Sequence, residues 1–258
     1  MNNTSGLRRF FEYLPASIKF HKLKNEGLAR LIFVLVLFCQ MAGSYIQYNI
    51  LNQISSEDFD LFYSALALSQ APSQKGQTAE HLIYPLLLVL GTAILVKLLS
   101  NLFLSVYMFS YISELRGKET GFRASFKGAF KHLGRLIGYN ILFGLLVIIG
   151  LMFFIVPGII AYIIFVFGFC YILDLKLNIS DAFTASNEIS RGKKTQIISV
   201  FAGFYLMFEL PIILLISGST LGTAYLSSFF STISSLILQR LITQIYMDLE
   251  YTKERSAK

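Results

Sequence analysis

Residues 136–173 read LIGYNILFGLLVIIGLMFFIVPGIIAYIIFVFGFCYIL, with no charged side chain in the stretch. A hydrocarbon core of about 30 Å takes about 20 helical residues to cross, so this run is long enough for two passes. Pro157-Gly158 falls inside it, and that dipeptide commonly marks a turn. The sequence therefore predicts a helical hairpin: a span over 136–156, a tight turn at Pro157-Gly158, and a span over 159–173. Continuous runs of Leu, Ile and Phe favour helices over the alternating segments of about ten residues that build a membrane barrel.

The same reading extends in both directions, to spans over 29–51, 82–111, 195–217 and 224–247. The 258 residues are 55% hydrophobic and only 14% charged, with a mean hydropathy of +0.62. A soluble domain carries about 25% charged residues. The predicted fold class is an all-α polytopic membrane protein, six transmembrane helices arranged as three hairpins, with amphipathic helices on the cytoplasmic surface. Residues 1–27 form an N-terminal cytoplasmic segment, 28–250 the membrane domain, and 251–258 a cytoplasmic tail. The first apolar run begins near Leu31, after a polar and aromatic segment, so it is expected to stay in the mature chain rather than leave as a signal peptide.

Charge fixes the direction of threading. Of the 22 Lys and Arg residues, all but Lys75 and Lys97 lie in or beside one alternating set of gaps: the N-terminus, the segments after spans two and four, and the C-terminus. Short cytoplasmic loops retain Lys and Arg, so both termini are expected in the cytoplasm. The loop after span one is net acidic, with Glu57, Asp58, Asp60, Lys75 and Glu80, and holds an apolar patch over 61–68.

Each hairpin follows a segment in which apolar and basic residues interleave. Over 1–27, Phe10, Phe11, Tyr13, Ile18 and Phe20 alternate with Arg8, Arg9, Lys19, Lys22 and Lys24. Two readings fit this segment: an interfacial helix with Pro15 starting or kinking it, and a disordered basic tail. Over 122–135, Phe122, Phe126, Ala129, Phe130 and Leu133 recur at helical spacing beside Arg123, Lys127, Lys131 and Arg135. That is an apolar stripe along a cationic face, expected to meet anionic headgroups. Over 174–194, again amphipathic, Asn178 or Ser180 can cap a helix that Asp181 complements, and Arg191-Gly192-Lys193-Lys194 ends it with a glycine and cations. Arg191, Lys193 and Lys194 are further expected lipid contacts. The net charge of +7 is explained by such contacts at about 1 kcal/mol per basic residue near the surface. No DNA-reading motif accompanies it, and nucleic acid is not an expected partner.

The stretch Val156-Pro157-Gly158-Ile159-Ile160, followed by Asp181-Ala182-Phe183-Thr184-Ala185-Ser186 and Arg191-Gly192-Lys193-Lys194, resembles a family of bacterial six-span proteins. These are the YciC-like proteins and the membrane domain attached to some glycerophosphodiester phosphodiesterases. Members carry a "PGI" turn, an "A-x-x-x-S" helix and a "[KR]-G-[KR]" element before the fifth span. The resemblance covers roughly 120–250 and implies an inner-membrane protein of largely unassigned function. It transfers no catalytic residue, because the phosphodiesterase domain has no counterpart here.

Three ionisable residues fall inside spans: Lys97, Glu209 and Arg240. A charge at the bilayer centre costs about 2.5–3.5 kcal/mol on insertion scales, and such residues mark functional sites by default. At about 1.5 Å per residue, Glu209 and Lys97 both sit roughly 20 Å from the inner surface. They can therefore pair as a structural bridge or serve a proton or solute relay. Pro211 should open the backbone near Glu209. Arg240 lies close to the end of span six and is expected to snorkel to inner headgroups as an anchor. Ser227, Ser231 and Ser235 recur every four residues, as close-packing small residues do and as a polar pore lining would; Gly134 and Gly138 share the spacing. His21, His81 and His132 lie in separate segments, and Cys39 and Cys170 lack metal-type neighbours. No cofactor, metal or enzyme motif is implied. The expectation is a non-enzymatic accessory membrane protein whose partners are anionic lipids, with another membrane or cytosolic protein as a further partner. The alternative is a transporter using Glu209 and Lys97.

Overall fold

In the computed structural model, residues 7–53, 75–118, 121–216 and 220–256 are described. The apolar patch over 61–68 and residues 218–219 of the small turn before span six lie outside them. Among the described residues the regular structure is all helical, with no strand. Its elements are α1 (Phe10–Ile18), α2 (Glu26–Leu51), α3 (Lys75–Leu115), α4 (Phe122–Phe130), α5 (Leu133–Phe153), α6 (Ile155–Phe165), α7 (Gly168–Asp174), α8 (Ile179–Ser190), α9 (Lys194–Phe204), a π turn (Tyr205–Glu209), α10 (Leu210–Leu215) and α11 (Leu221–Ser256). Six stretches are long and apolar enough to cross a bilayer: Glu26–Leu51, Ile83–Leu115, Leu133–Phe153, Ile155–Asp174, Lys194–Leu214 and Leu221–Tyr251. The protein is a multi-pass membrane protein, and the first and last described helices meet on one side, where Arg8 pairs with Asp248.

The third and fourth spans form a tight hairpin, and the turn is not where the sequence predicts it. The chain reverses at one extended residue, Phe154 (φ −163°, ψ 152°), and Pro157-Gly158 lies inside the first turn of α6. Pro belongs there, since the first-turn N–H groups have no intrahelical partner and Pro has none to lose. Gly158 is needed for contact: a Cβ on it would stand 2.5 Å from Leu151 Cγ, and one on Gly150 would meet Gly158 Cα at 2.8 Å.

The fourth span also breaks, between α6 and α7, which the hydropathy pattern does not reveal. Breaking an α-helix strands carbonyls in a low-dielectric interior, where an unpaired polar group is strongly unfavourable. Here two hydroxyls take them up. Ser186 Oγ of α8 donates to the Ile164 carbonyl at 2.6 Å, and Tyr139 Oη of α5 donates to the Phe165 carbonyl at 2.5 Å. A Cβ at Gly168 would lie 1.9 Å from Tyr139 Oη, so only glycine lets the phenol reach. Phe183 of α8 stacks on Tyr139 with centroids 4.3 Å apart and completes the joint.

The side carrying the termini is braced around α11, which extends well past the predicted end of span six. Arg8 pairs with Asp248 at 2.8 Å, and Tyr13 Oη donates to the same carboxylate at 2.7 Å. Arg116 pairs with Asp174, which also accepts from Tyr246 Oη at 2.9 Å; Tyr171 Oη donates to Glu250 at 2.7 Å. Of the two readings for the N-terminal segment, a loose tail is ruled out over its described part. It forms a helix that buries Phe10, Tyr13 and Ser17 against the protein and leaves Phe11 and Ile18 exposed. Gly117, at φ +72°, closes α3, with the Lys118 N–H bonded to the Ser113 carbonyl at 2.8 Å. Gly192, at φ +77°, follows α8 as its sequence predicts, while Asn178 sits at the N-cap without a side-chain capping bond.

Candidate functional site

Polar side chains inside the spans converge on one place. An open-sided cavity of about 270 Å³ lies between α2, α3 and α11. Gln40, Ser44 and Gln47 line it from α2, at helical spacings of four and three. Lys97 and Ser100 line it from α3, and Ser227, Ser231 and Ser235 from α11. Gly43 lets α2 and α3 approach closely beside it, since a Cβ there would meet Val96 Cγ2 at 2.5 Å. Across the cavity wall Ser44 and Ser228 share a hydrogen bond of 2.7 Å. The serine repeat of span six thus lines a space rather than only a helix contact. Of the two glycines in span three, Gly138 approaches Ile179, while Gly134 has open space where a side chain would go.

Among the described residues Lys97 is the single charged one lining this cavity. It also lines a second, narrower cavity of about 90 Å³ on the side of the termini, together with Asn101, Ser105, Tyr162, Ser235 and Gln239. The bundle surrounds Lys97, yet its side chain is accessible because it faces these spaces. Among the described residues no carboxylate lies within 4 Å of its ammonium. Two further polar atoms, Ser100 Oγ and Gln239 Oε1, are buried without a hydrogen-bond partner among the described residues.

Glu209 reaches Lys97 only through space. Its carboxylate instead accepts from Ser234 Oγ at 2.5 Å, and it does not line the 270 Å³ cavity. The direct pairing open to the two residues in sequence is not formed. The backbone opening expected near Pro211 takes the form of the π turn ahead of it, where the Leu210 N–H bonds to the Tyr205 carbonyl five residues back. Widened turns of this kind occur mostly as single bulges, frequently at functional sites.

The cationic residues divide into two sets. Arg123, Lys127 and Lys131 are exposed, each next to one ring of the ladder Phe122, Phe126, Phe130, whose centroids are 5.1 Å and 5.9 Å apart. The opposite face of α4, Ser125, Gly128 and Ala129, packs on the protein, with Gly128 against Phe109. Ala129 therefore belongs to the protein-facing side, not to the outward stripe. Arg191 is exposed, and Lys193 and Lys194 are half-buried. Arg135 is half-buried and donates to the Lys176 carbonyl at 2.7 Å, holding a loop residue at φ 59°.

Arg240 departs from its predicted role. It is 7% exposed, donates to the Lys22 carbonyl at 3.1 Å, and stacks over the Tyr111 ring at 4.2 Å. It fastens the segment before α2 to α3 and does not snorkel to headgroups, because α1 and its following loop cover the position it would have to reach. The sequence missed Gln40, Ser44, Gln47 and Ser100 as well. Their signal was present as polar residues on one face of each helix, but a search for ionisable groups passes over it.

Fold and cavity together define a polytopic α-helical membrane protein with an open-sided polar space between its spans. Compared with protein-family models, curated proteins and solved structures, the chain finds no match.

Proposed function

We propose that the chain is a non-enzymatic protein of the bacterial cytoplasmic membrane, of the YciC-like six-span kind, with both termini in the cytoplasm. Its cationic helices hold anionic headgroups there in an accessory or envelope-maintenance role. The observation that carries this reading is α4: three partly outward-facing phenylalanines, each beside an exposed Arg123, Lys127 or Lys131. Apolar rings at the acyl boundary with cations at headgroup level are the arrangement of an interfacial helix. At about 1 kcal/mol per basic residue, three such residues supply about 3 kcal/mol of preference for an anionic surface. The test compares thermal unfolding of the full chain in nanodiscs of zwitterionic lipid with and without phosphatidylglycerol. The wild type gains stability from the anionic lipid, and the variant carrying Arg123→Gln, Lys127→Gln and Lys131→Gln loses most of that gain. An unchanged gain overturns the reading.

A second reading, a transporter or channel, is favoured by one observation: two cavities meet at Lys97. Solute flux in proteoliposomes that falls in Lys97→Gln and Glu209→Gln would support it, and flux indifferent to both would remove them from any mechanism.

A further inference from the structure

We propose that the 270 Å³ cavity between α2, α3 and α11 is a binding site for a phosphate-type oxyanion, with Lys97 supplying the charge and hydroxyls of α3 and α11 supplying hydrogen bonds. This goes beyond the headgroup reading of α4, which concerns different residues on the side of the termini.

Four observations converge. Among the described residues Lys97 is the only charged one lining the cavity, so their lining is net cationic wherever the ammonium is charged, and the space favours anions. Among the described residues no carboxylate stands within 4 Å of that ammonium, so no internal anion occupies the position of a ligand. Glu209, the nearby carboxylate, is held by Ser234 and stays outside the lining. Ser100, only 3% exposed, is among the lining residues, and its buried Oγ has no hydrogen-bond partner among the described residues. A buried hydroxyl without a partner calls for a ligand or an ordered water.

The donor set selects the chemistry. Ser100 approaches from α3, and Ser227, Ser231 and Ser235 approach from α11. Hydroxyls on two helices around one ammonium match a tetrahedral oxyanion, which accepts from several directions; a cation would be repelled by Lys97. A volume of about 270 Å³ admits such a group with room to spare, since one water takes about 30 Å³. Gln40 follows Arg30 by ten residues, so the lining of α2 begins about 15 Å inward from the side of the termini at 1.5 Å per residue. The site lies in the half remote from both termini, which the charge pattern assigns to the outer leaflet. The same chemistry has two sources there: the phosphodiester of a lipid entering from the side, and free phosphate.

The experiment uses the full chain, stripped of lipid in a neutral detergent. Equilibrium binding of radiolabelled inorganic phosphate is measured, and lipid retained from phosphatidylglycerol is measured by native mass spectrometry. Both are repeated on Lys97→Met, Lys97→Arg and Ser100→Ala, with thermal unfolding as the check on folding. Wild type and Lys97→Arg bind, Lys97→Met binds at least tenfold more weakly, and Ser100→Ala is weakened severalfold. Phosphate binding that depends on Lys97 identifies the free ion, and lipid retention alone that depends on Lys97 identifies the headgroup. If neither probe distinguishes folded Lys97→Met from wild type, the site does not exist. Failure of the α4 variant to alter anionic-lipid stabilisation would leave this result untouched, because Lys97 is not among its substitutions.

Discussion

At the scale of single residues, the joint between α6 and α7 depends on glycine. With Tyr139 Oη 1.9 Å from where a Cβ would stand, Gly168→Ala must displace the phenol from the Phe165 carbonyl. Overpacking costs about 1–3 kcal/mol, and a buried carbonyl left unpaired costs about 1–3 kcal/mol. Gly168→Ala and Tyr139→Phe each lower the unfolding midpoint, and the double variant loses less than their sum, since both act on one hydrogen bond. Strict additivity in a double-mutant cycle would show that the two residues are uncoupled. His132, at the foot of α5 and 9% exposed, sits in a place that disfavours its proton. Burial lowers its pKa first, and the cations Arg135, Lys131 and Lys176 lower it further. A histidine whose folded pKa is depressed stabilises the fold above the unfolded value near 6.5 and loses that contribution as pH falls below it. Thermal unfolding between pH 7.5 and 5.5 should therefore fall more steeply for the wild type than for His132→Asn; parallel curves would remove His132 as a cause.

At the scale of elements, sequence was a good guide to spans and a poor one to their interruptions. Hydropathy marks where a run is apolar, so all six spans were legible. The break at 166–167 leaves the run as apolar as before, and what makes it tolerable is a hydroxyl on α5 and another on α8. Contacts between elements distant in sequence carry no local signature. The reversal at Phe154 was misplaced for a related reason: Pro157-Gly158 is a turn signal and also a helix-start signal. The tip it shapes is unusual in composition. Met152, Phe153, Phe154, Ile155 and Val156 are 63–81% exposed, and none is polar. Such a tip rests in lipid and does not project into water. In a background of Cys39→Ser and Cys170→Ala, Phe154→Cys should react with a membrane-impermeant maleimide much more slowly than Thr220→Cys, at an exposed position just before α11. Equal rates would place the tip in solvent.

At the scale of the whole molecule, charge bias and hydropathy together account for the class of protein, because a bilayer constrains composition more severely than a soluble core does. The cavity was half legible. Lys97 stood out as a charge within a span, whereas Gln40, Ser44 and Gln47 stood out only once α2 was seen to face α3 and α11. Arg240 was not legible, because the segment that covers it, through the Lys22 carbonyl, is more than 200 residues away in sequence. The hairpin of α5 and α6 constrains how the chain enters the membrane. With one non-helical residue between two spans, neither can cross while the other waits outside. The pair must enter the bilayer as a single wedge, apolar point foremost.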